Sequence, residues 1–105
     1  MTQISSDNVV AVHALLAAQA GRMKQLLDDA NWMRDLPLPG DDPVSHAAKD
    51  RFQPKVDRIL DVHWAHYFEV REAALRLREA ARQYGHTDDE VDAAFAVQRE
   101  LFARG

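Results

Sequence analysis

The sequence predicts an all-α protein: an antiparallel helical hairpin with a kinked second helix and a short C-terminal helix, completing a four-helix bundle with a partner. Three observations predict it. Apolar residues recur at alternating three- and four-residue steps over two long segments. The two segments are nearly equal in length and are joined by a proline-rich connection, as antiparallel neighbours require. Strand-like alternation and internal repeats are both absent from the sequence.

The first helix is expected over Asp7–Arg34, with Ser5, Ser6 and Asp7 offering N-caps. Its seam reads Val9, Val12, Leu16, Met23, Leu26, Ala30 and Met33, with Gln19 filling one slot. From Val9 to Ala20 the other positions are apolar or small too: Val10, Ala11, Ala14, Leu15, Ala17 and Ala18. A helix that is apolar all round is buried all round, and one antiparallel neighbour does not cover it. Beyond Arg22 the outer face turns polar, with Lys24, Gln25, Asp28 and Asp29.

Three of the four prolines fall in Leu36-Pro37-Leu38-Pro39-Gly40-Asp41-Asp42-Pro43. Proline removes a donor and restricts the residue before it, so this stretch is a loop. Asp42 caps the next helix and Pro43 takes its first position, where a missing N–H costs nothing. Pro54 predicts a kink or a break near Gln53. The second seam reads Val56, Ile59, His63, His66, Val70, Ala73, Leu77, Ala80 and Tyr84, flanked by Leu60, Tyr67, Ala74 and Ala81. Gly85 then reads as a C-cap glycine and Thr87-Asp88-Asp89-Glu90 as a capping box. The box opens a tail helix with Val91, Ala94, Phe95, Gln98 and Phe102 on one face, unless this end orders only on binding. Residues 1–86 therefore form the hairpin unit and residues 87–105 the tail.

The two main segments, Asp7–Arg34 and Val56–Tyr84, span 28 and 29 residues, each roughly 42–44 Å long. A bare hairpin leaves Val9, Val12, Leu15 and Leu16 on one helix and Trp64, Phe68 and Leu75 on the other without full cover. These seven residues are the candidate partner interface. Covering four or five such side chains is worth roughly 1.5–3 kcal/mol each. The alternative is that Trp64, Phe68 and Leu75 are core beneath the tail helix, packed by Phe95 and Phe102.

Composition narrows the function. The net charge is -4 and no basic block exists, so no nucleic-acid partner is expected. Cysteine is absent, which removes disulfides and thiolate metal sites. His63 and His66 stand three apart, as helix-borne metal ligands do, but lack a Glu-x-x-His companion and read as packed seam histidines. Asp57 and Asp61 have no nucleophile, base or oxyanion loop beside them, and no glycine-rich phosphate loop exists. No catalytic residue, metal, cofactor or small-molecule substrate is expected. The N-terminal residues lack a Sec-type signal pattern, and the run Val9–Ala20 is too short to span a bilayer.

Gly40-Asp41-Asp42-Pro43-Val44-Ser45, Phe52, and Tyr84 with Asp88 together resemble the PE family of actinobacterial type VII secretion substrates. In that family an acidic-Val-Ser start of the second helix is followed by a Phe eight residues after the Val and a Tyr forty residues after it. Val44, Phe52 and Tyr84 stand at those separations. The resemblance covers roughly residues 5–90 and departs at Asp7-Asn8, where the family carries a Pro-Glu pair, and at Pro54. It implies half of a bundle completed by a PPE-like protein as a heterodimer. It also implies folded export by the type VII machinery from the cytoplasm to the envelope or medium, without a cleaved signal peptide. Tyr84 and Asp88 would then form the Tyr-x-x-x-Asp export signal. Two alternatives stand beside it: a homodimeric secreted hairpin like the WXG family, whose Trp-x-Gly turn is missing here, and a non-exported intracellular helical adaptor.

Overall fold

The computed structural model describes residues 6–104. The side chains of Ser6, Asp7, Phe102 and Arg104 lie outside the description, as does Ser5, and with them the expected N-cap of the first helix and one residue of the tail's apolar face. Within the described residues the chain is all-helical: α1 (Ser6–Asp29), a 3-10 turn (Asn31–Arg34), α2 (Pro43–Gln83) and α3 (Asp88–Arg104). No described helix is long and apolar enough to cross a membrane.

The first helix stops at Asp29, five residues before the expected Arg34. Its last turn holds Asp28 and Asp29 and no basic residue, so carboxylates face the negative end of the helix dipole. Lys24 offsets part of this through a 2.7 Å pair with Asp28. The chain then tightens: the N–H of Met33 reaches the carbonyl of Ala30 at 3.0 Å, and that of Asp35 reaches Trp32 at 3.2 Å.

The turn into α2 follows its sequence closely. The Asp42 carboxylate accepts from the Ser45 N–H at 3.3 Å and from the Ser45 hydroxyl at 2.6 Å, with Pro43 at the first helical position. A Cβ on Gly40 would come within 2.9 Å of an Asp42 carboxylate oxygen, so a larger residue there would push on the carboxylate that caps α2.

The expected break near Gln53 does not occur. α2 runs unbroken for 41 residues with Pro54 inside it. Pro54 lies on the exposed side of the helix, where the carbonyl freed by its missing N–H can turn to water. Gln53 instead fastens the connection. Its amide oxygen accepts from the Leu36 N–H at 2.7 Å, and its NH2 donates to the Met33 carbonyl at 2.9 Å and to Asp57 at 2.9 Å. Lys49 pairs with Asp35, and Arg34 pairs with Asp61 at 2.8 Å. Replacing Gln53 with alanine strands a part-buried N–H and carbonyl at once. The expected loss is about 1–3 kcal/mol in urea unfolding, with hydrogen exchange accelerated first over residues 31–40.

α1 and α2 pack in opposite directions. Val9 joins Ala81, and Ala20 and Leu27 join Tyr67, in two buried clusters. His13, itself buried, meets the Ala74 carbonyl through Nδ1 at 2.7 Å. The true seam is therefore turned from the expected one. On α2 it is the heptad Leu60, Tyr67, Ala74 and Ala81 that is buried, whereas Ile59, His63, His66 and Tyr84 are exposed. On α1 the buried line is Val9, His13, Ala20 and Leu27, whereas Val12 and Leu26 are exposed. Size complementarity explains the turn: His13 meets Ala74, Ala20 meets Tyr67, and Val9 meets Ala81. A bulky side chain on one helix fills the space left by alanine on the other, and the backbones approach closely.

α3 lies along α1 and meets α2 only near its own start. Val91 is fully buried with Val9 and Ala81, and Phe95 lines a cleft with Ala18, Gly21 and Arg22 of α1. This accounts for two sides of the apolar first half of α1, with α2 on one and α3 on another, and leaves the side of Val12 and Leu15 open. It also means that Phe95 does not roof Trp64, Phe68 and Leu75.

Candidate partner interface and the Tyr84–Asp88 corner

The seven candidate interface residues do not share one face. Val9 is 2 % exposed, covered by its own chain, and Leu16 is half-buried at the α1–α2 seam. Trp64 packs edge-on against Tyr67, ring centres 5.7 Å apart, and against the cluster of Ala20 and Leu27. Val12, Leu15, Phe68 and Leu75 stay in water, between 38 % and 53 % exposed.

At about 100° per residue, these four divide between two flanks of the α1–α2 pair. Phe68 and Leu75 belong to a heptad stripe that continues to Arg82. Arg82 and its neighbour Arg78 reach Asp88 and Asp92 at the start of α3, so this flank borders α3. Val12 and Leu15 fall with Leu26 on the other flank of α1. Leu26 and Ile59 meet there across a groove of about 450 Å³, lined also by Met23, Leu27, Met33 and His63. On the same flank of α2 lie Val62, His66 and Tyr84. Leu26, Ile59, Val62 and Tyr84 are all more than half exposed. The larger open apolar face is thus Val12, Leu15 and Leu26 with Ile59, Val62 and Tyr84.

The second feature is the corner between α2 and α3. Tyr84 is the C-cap of α2. Gly85 follows with φ +87°, the left-handed region where glycine carries no Cβ penalty. The N–H of His86 reaches the Ala81 carbonyl at 3.0 Å and that of Gly85 reaches Arg82 at 2.9 Å, a complete Schellman closure. Thr87 and Glu90 then form the capping box: the Glu90 N–H donates to the Thr87 hydroxyl at 3.2 Å, and the Thr87 N–H donates to the Glu90 carboxylate at 3.3 Å.

Because Gly85 breaks the helix, Tyr84 and Asp88 do not stand on one continuous helical face. Tyr84 projects from the Ile59 flank of α2, whereas Asp88 is held by Arg82 at 3.0 Å and Arg78 at 3.5 Å, on the other flank. The tyrosine is exposed and the acid is charged and anchored. The hydrogen bond from Arg82, aided by the charge of Arg78, holds the Asp88 carboxyl below its ordinary range. The bonds from His86 and then Thr87 do the same for Glu90. A depressed folded pKa stabilises the corner above the unfolded carboxylate value of about 4, and that stabilisation is lost as pH falls through the folded value. Exchange of the α3 amides is therefore expected to rise below about pH 4, ahead of the α1–α2 seam, in a pH series of exchange spectra.

His63 and His66 are both exposed, and His66 lies 4.0 Å from Glu69. Among the described residues no three His, Asp or Glu side chains converge as a metal site would require. The residues that sequence reading missed are Gln53, Arg78 and Arg82. Arg78 and Arg82 had a signal, since they lie two turns and one turn before a glycine stop with carboxylates just beyond it. Gln53 had none, because its partners lie across the loop.

No family model matches the chain, and neither does any curated protein or solved structure.

Proposed function

We propose that this chain is a non-enzymatic, PE-like type VII secretion substrate that pairs with a PPE-like helical partner and carries its export signal at Tyr84 and Asp88. The observation that carries the proposal is the open apolar face of Val12, Leu15, Leu26, Ile59, Val62 and Tyr84. Half-covered aliphatic side chains of this kind gain roughly half of the 1.5–3 kcal/mol that full burial gives each of them. Six such residues offer several kcal/mol against the cost of association. Two partner helices laid across the groove beside Leu26 and Ile59 would turn the α1–α2 hairpin into a four-helix bundle. The first turn of α2 also supports the reading, since Asp42, Pro43, Val44 and Ser45 form the tight cap that the resemblance is built on. The corner supports the signal assignment by its chemistry: an exposed phenol on one flank and a fixed carboxylate on the other, both at the end of the long helix and clear of the seam.

Val9, Leu16 and Trp64 serve the chain's own packing in this reading. The docking surface is the Val12–Tyr84 flank, with Phe68 and Leu75 a smaller patch on the opposite side. Substituting Tyr84 with alanine is expected to abolish export while the partner complex still copurifies, because Tyr84 is the last residue of the docking flank and Val12, Leu15, Leu26, Ile59 and Val62 remain to hold the partner. The measurement compares secreted and cell-associated protein in a strain with active type VII export. Normal secretion of the variant would end the signal assignment.

A further inference from the structure

We infer that the loop end of the hairpin, around Phe52, is a second docking site, and that it takes an acidic segment of another protein carrying two apolar side chains. The inference is independent of the Val12–Tyr84 flank and of export. It concerns the other end of α2, with Phe52 roughly 50 Å from the Tyr84 corner.

Shape gives two receptacles. Phe52 is more than half exposed and stands between two shallow depressions that share it. One, of about 320 Å³, is walled by Trp32, Leu36, Pro37 and Pro39. The other, of about 400 Å³, is lined by Val44, Ala47, Ala48, Arg51 and Lys55. Trp32 and Val44 are more exposed still than Phe52, and neither the core nor the Val12–Tyr84 flank uses them. Gln53 binds the Leu36 N–H and the Met33 carbonyl. That holds the wall of the first depression in place before any ligand arrives.

Charge identifies the occupant. Lys24, Arg34, Lys49, Arg76, Arg78 and Arg82 each pair with a carboxylate. Arg51, Lys55 and Arg58 are exposed, and none of the three is paired among the described residues. They follow one another at i, i+4 and i+7 on the outer side of α2, where like charges repel. Lys55 rests over the Phe52 ring, 5.8 Å from its centre. The acids nearby are engaged or turned away. Asp35 pairs with Lys49, Asp41 contacts His46 and Asp42 caps α2 through Ser45. Asp57 accepts from Gln53, and Asp61 pairs with Arg34. By the helix period Asp50 falls about 100° from Arg51 and about 140° from Lys55. Glu69, on the same side of α2, lies roughly 16 Å beyond Arg58. Unpaired cations beside two apolar depressions are complementary to carboxylates that alternate with apolar side chains. A polypeptide fills concave walls with its side chains, whereas a flat lipid surface fills neither depression. One apolar side chain of the segment enters beside Trp32 and the other beside Val44, and its carboxylates face Arg51 and Lys55.

The test is selection from a random peptide library displayed on phage against the immobilised full chain, followed by fluorescence anisotropy of the selected peptides. The enriched peptides are expected to combine carboxylates with two apolar residues. Their affinity is expected to fall by about tenfold or more in the double variant Arg51→Glu, Lys55→Glu and in Phe52→Ala. Arg71→Glu, which removes another exposed arginine of α2, leaves it unchanged. Unchanged helical circular dichroism in every variant shows that the fold is kept. Enrichment without carboxylates overturns the inference, and so do peptides that bind the double variant as tightly as the natural chain. Phosphatidylserine vesicles are the second probe: a chain that binds them through Arg51 and Lys55 while no peptide is enriched gives the site to a lipid surface and overturns the inference as well. The export test alters only Tyr84, so the two readings fail separately.

Discussion

An aspartate at Val91 is expected to detach α3 from α1. Val91 has no exposed surface and sits where three helices meet, against Val9 and Ala81. It is also the buried anchor of a helix that otherwise keeps half-exposed contacts. A carboxylate forced into that cluster finds no cationic partner among the residues packed there, and desolvation alone costs several kcal/mol. Burial raises the pKa of such a group, so the neutral form is the tolerated one. The charge part of the penalty is therefore absent below the unfolded value of about 4 and grows as pH rises above it, on top of the lost valine packing. At neutral pH the α3 amides should exchange freely while the α1–α2 seam, whose clusters with Tyr67 do not include Val91, stays protected. Protection of α3 equal to that of the natural chain would show that this cluster does not hold the tail.

The second large effect is expected at Tyr67. It is 7 % exposed and fills the space beside Ala20, with its ring also against Trp64 and Phe68. Tyr67→Ala should lower the unfolding free energy in urea by about 3–5 kcal/mol, in the range for removing a buried aromatic side chain. Its neighbour Phe68 is 53 % exposed, and Phe68→Ala should cost about 1 kcal/mol or less. The pair separates the observed seam from the one that periodicity first suggests. A larger loss at Phe68 than at Tyr67 would mean that the helices pack through the other stripe.

Much of this architecture could be read from the residues. The stop at Gly85, the capping box at Thr87 and Glu90, the Asp42-Pro43 start and the presence of a tail helix are local effects. Each depends on chemistry within a few positions, so the chain alone specifies them. The seam was legible only to within one position, because the apolar stripe of α2 is wider than a seam. Leu60, Tyr67, Ala74 and Ala81 and the row from Ile59 to Tyr84 are both heptad-spaced, and the choice between them depends on which alanines α1 presents. The placement of α3 was not legible, since Val91 and Phe95 fit a groove on either helix. The small residues Ala14, Ala18 and Gly21 leave α1 the smoother surface. Of the kink or break expected at Pro54, the break is absent for a related reason: a proline's effect depends on which side of the helix it occupies, and Pro54 occupies the exposed side of a continuous helix. The candidate interface was half legible. Periodicity identified a surplus of apolar surface, but the identity of the open side required knowing where α3 lies.

The account depends on the flank of Leu15, Leu26 and Val62 belonging to another polypeptide. Hydroxyl-radical footprinting tests this directly, on the chain alone at low concentration and then coexpressed with the product of the adjacent gene. The account predicts that labelling of Leu15, Leu26 and Val62 falls sharply in the coexpressed sample while Phe68 keeps its reactivity. Equal labelling of that flank in both samples, with the two proteins found in one complex, would place the contact elsewhere and contradict it.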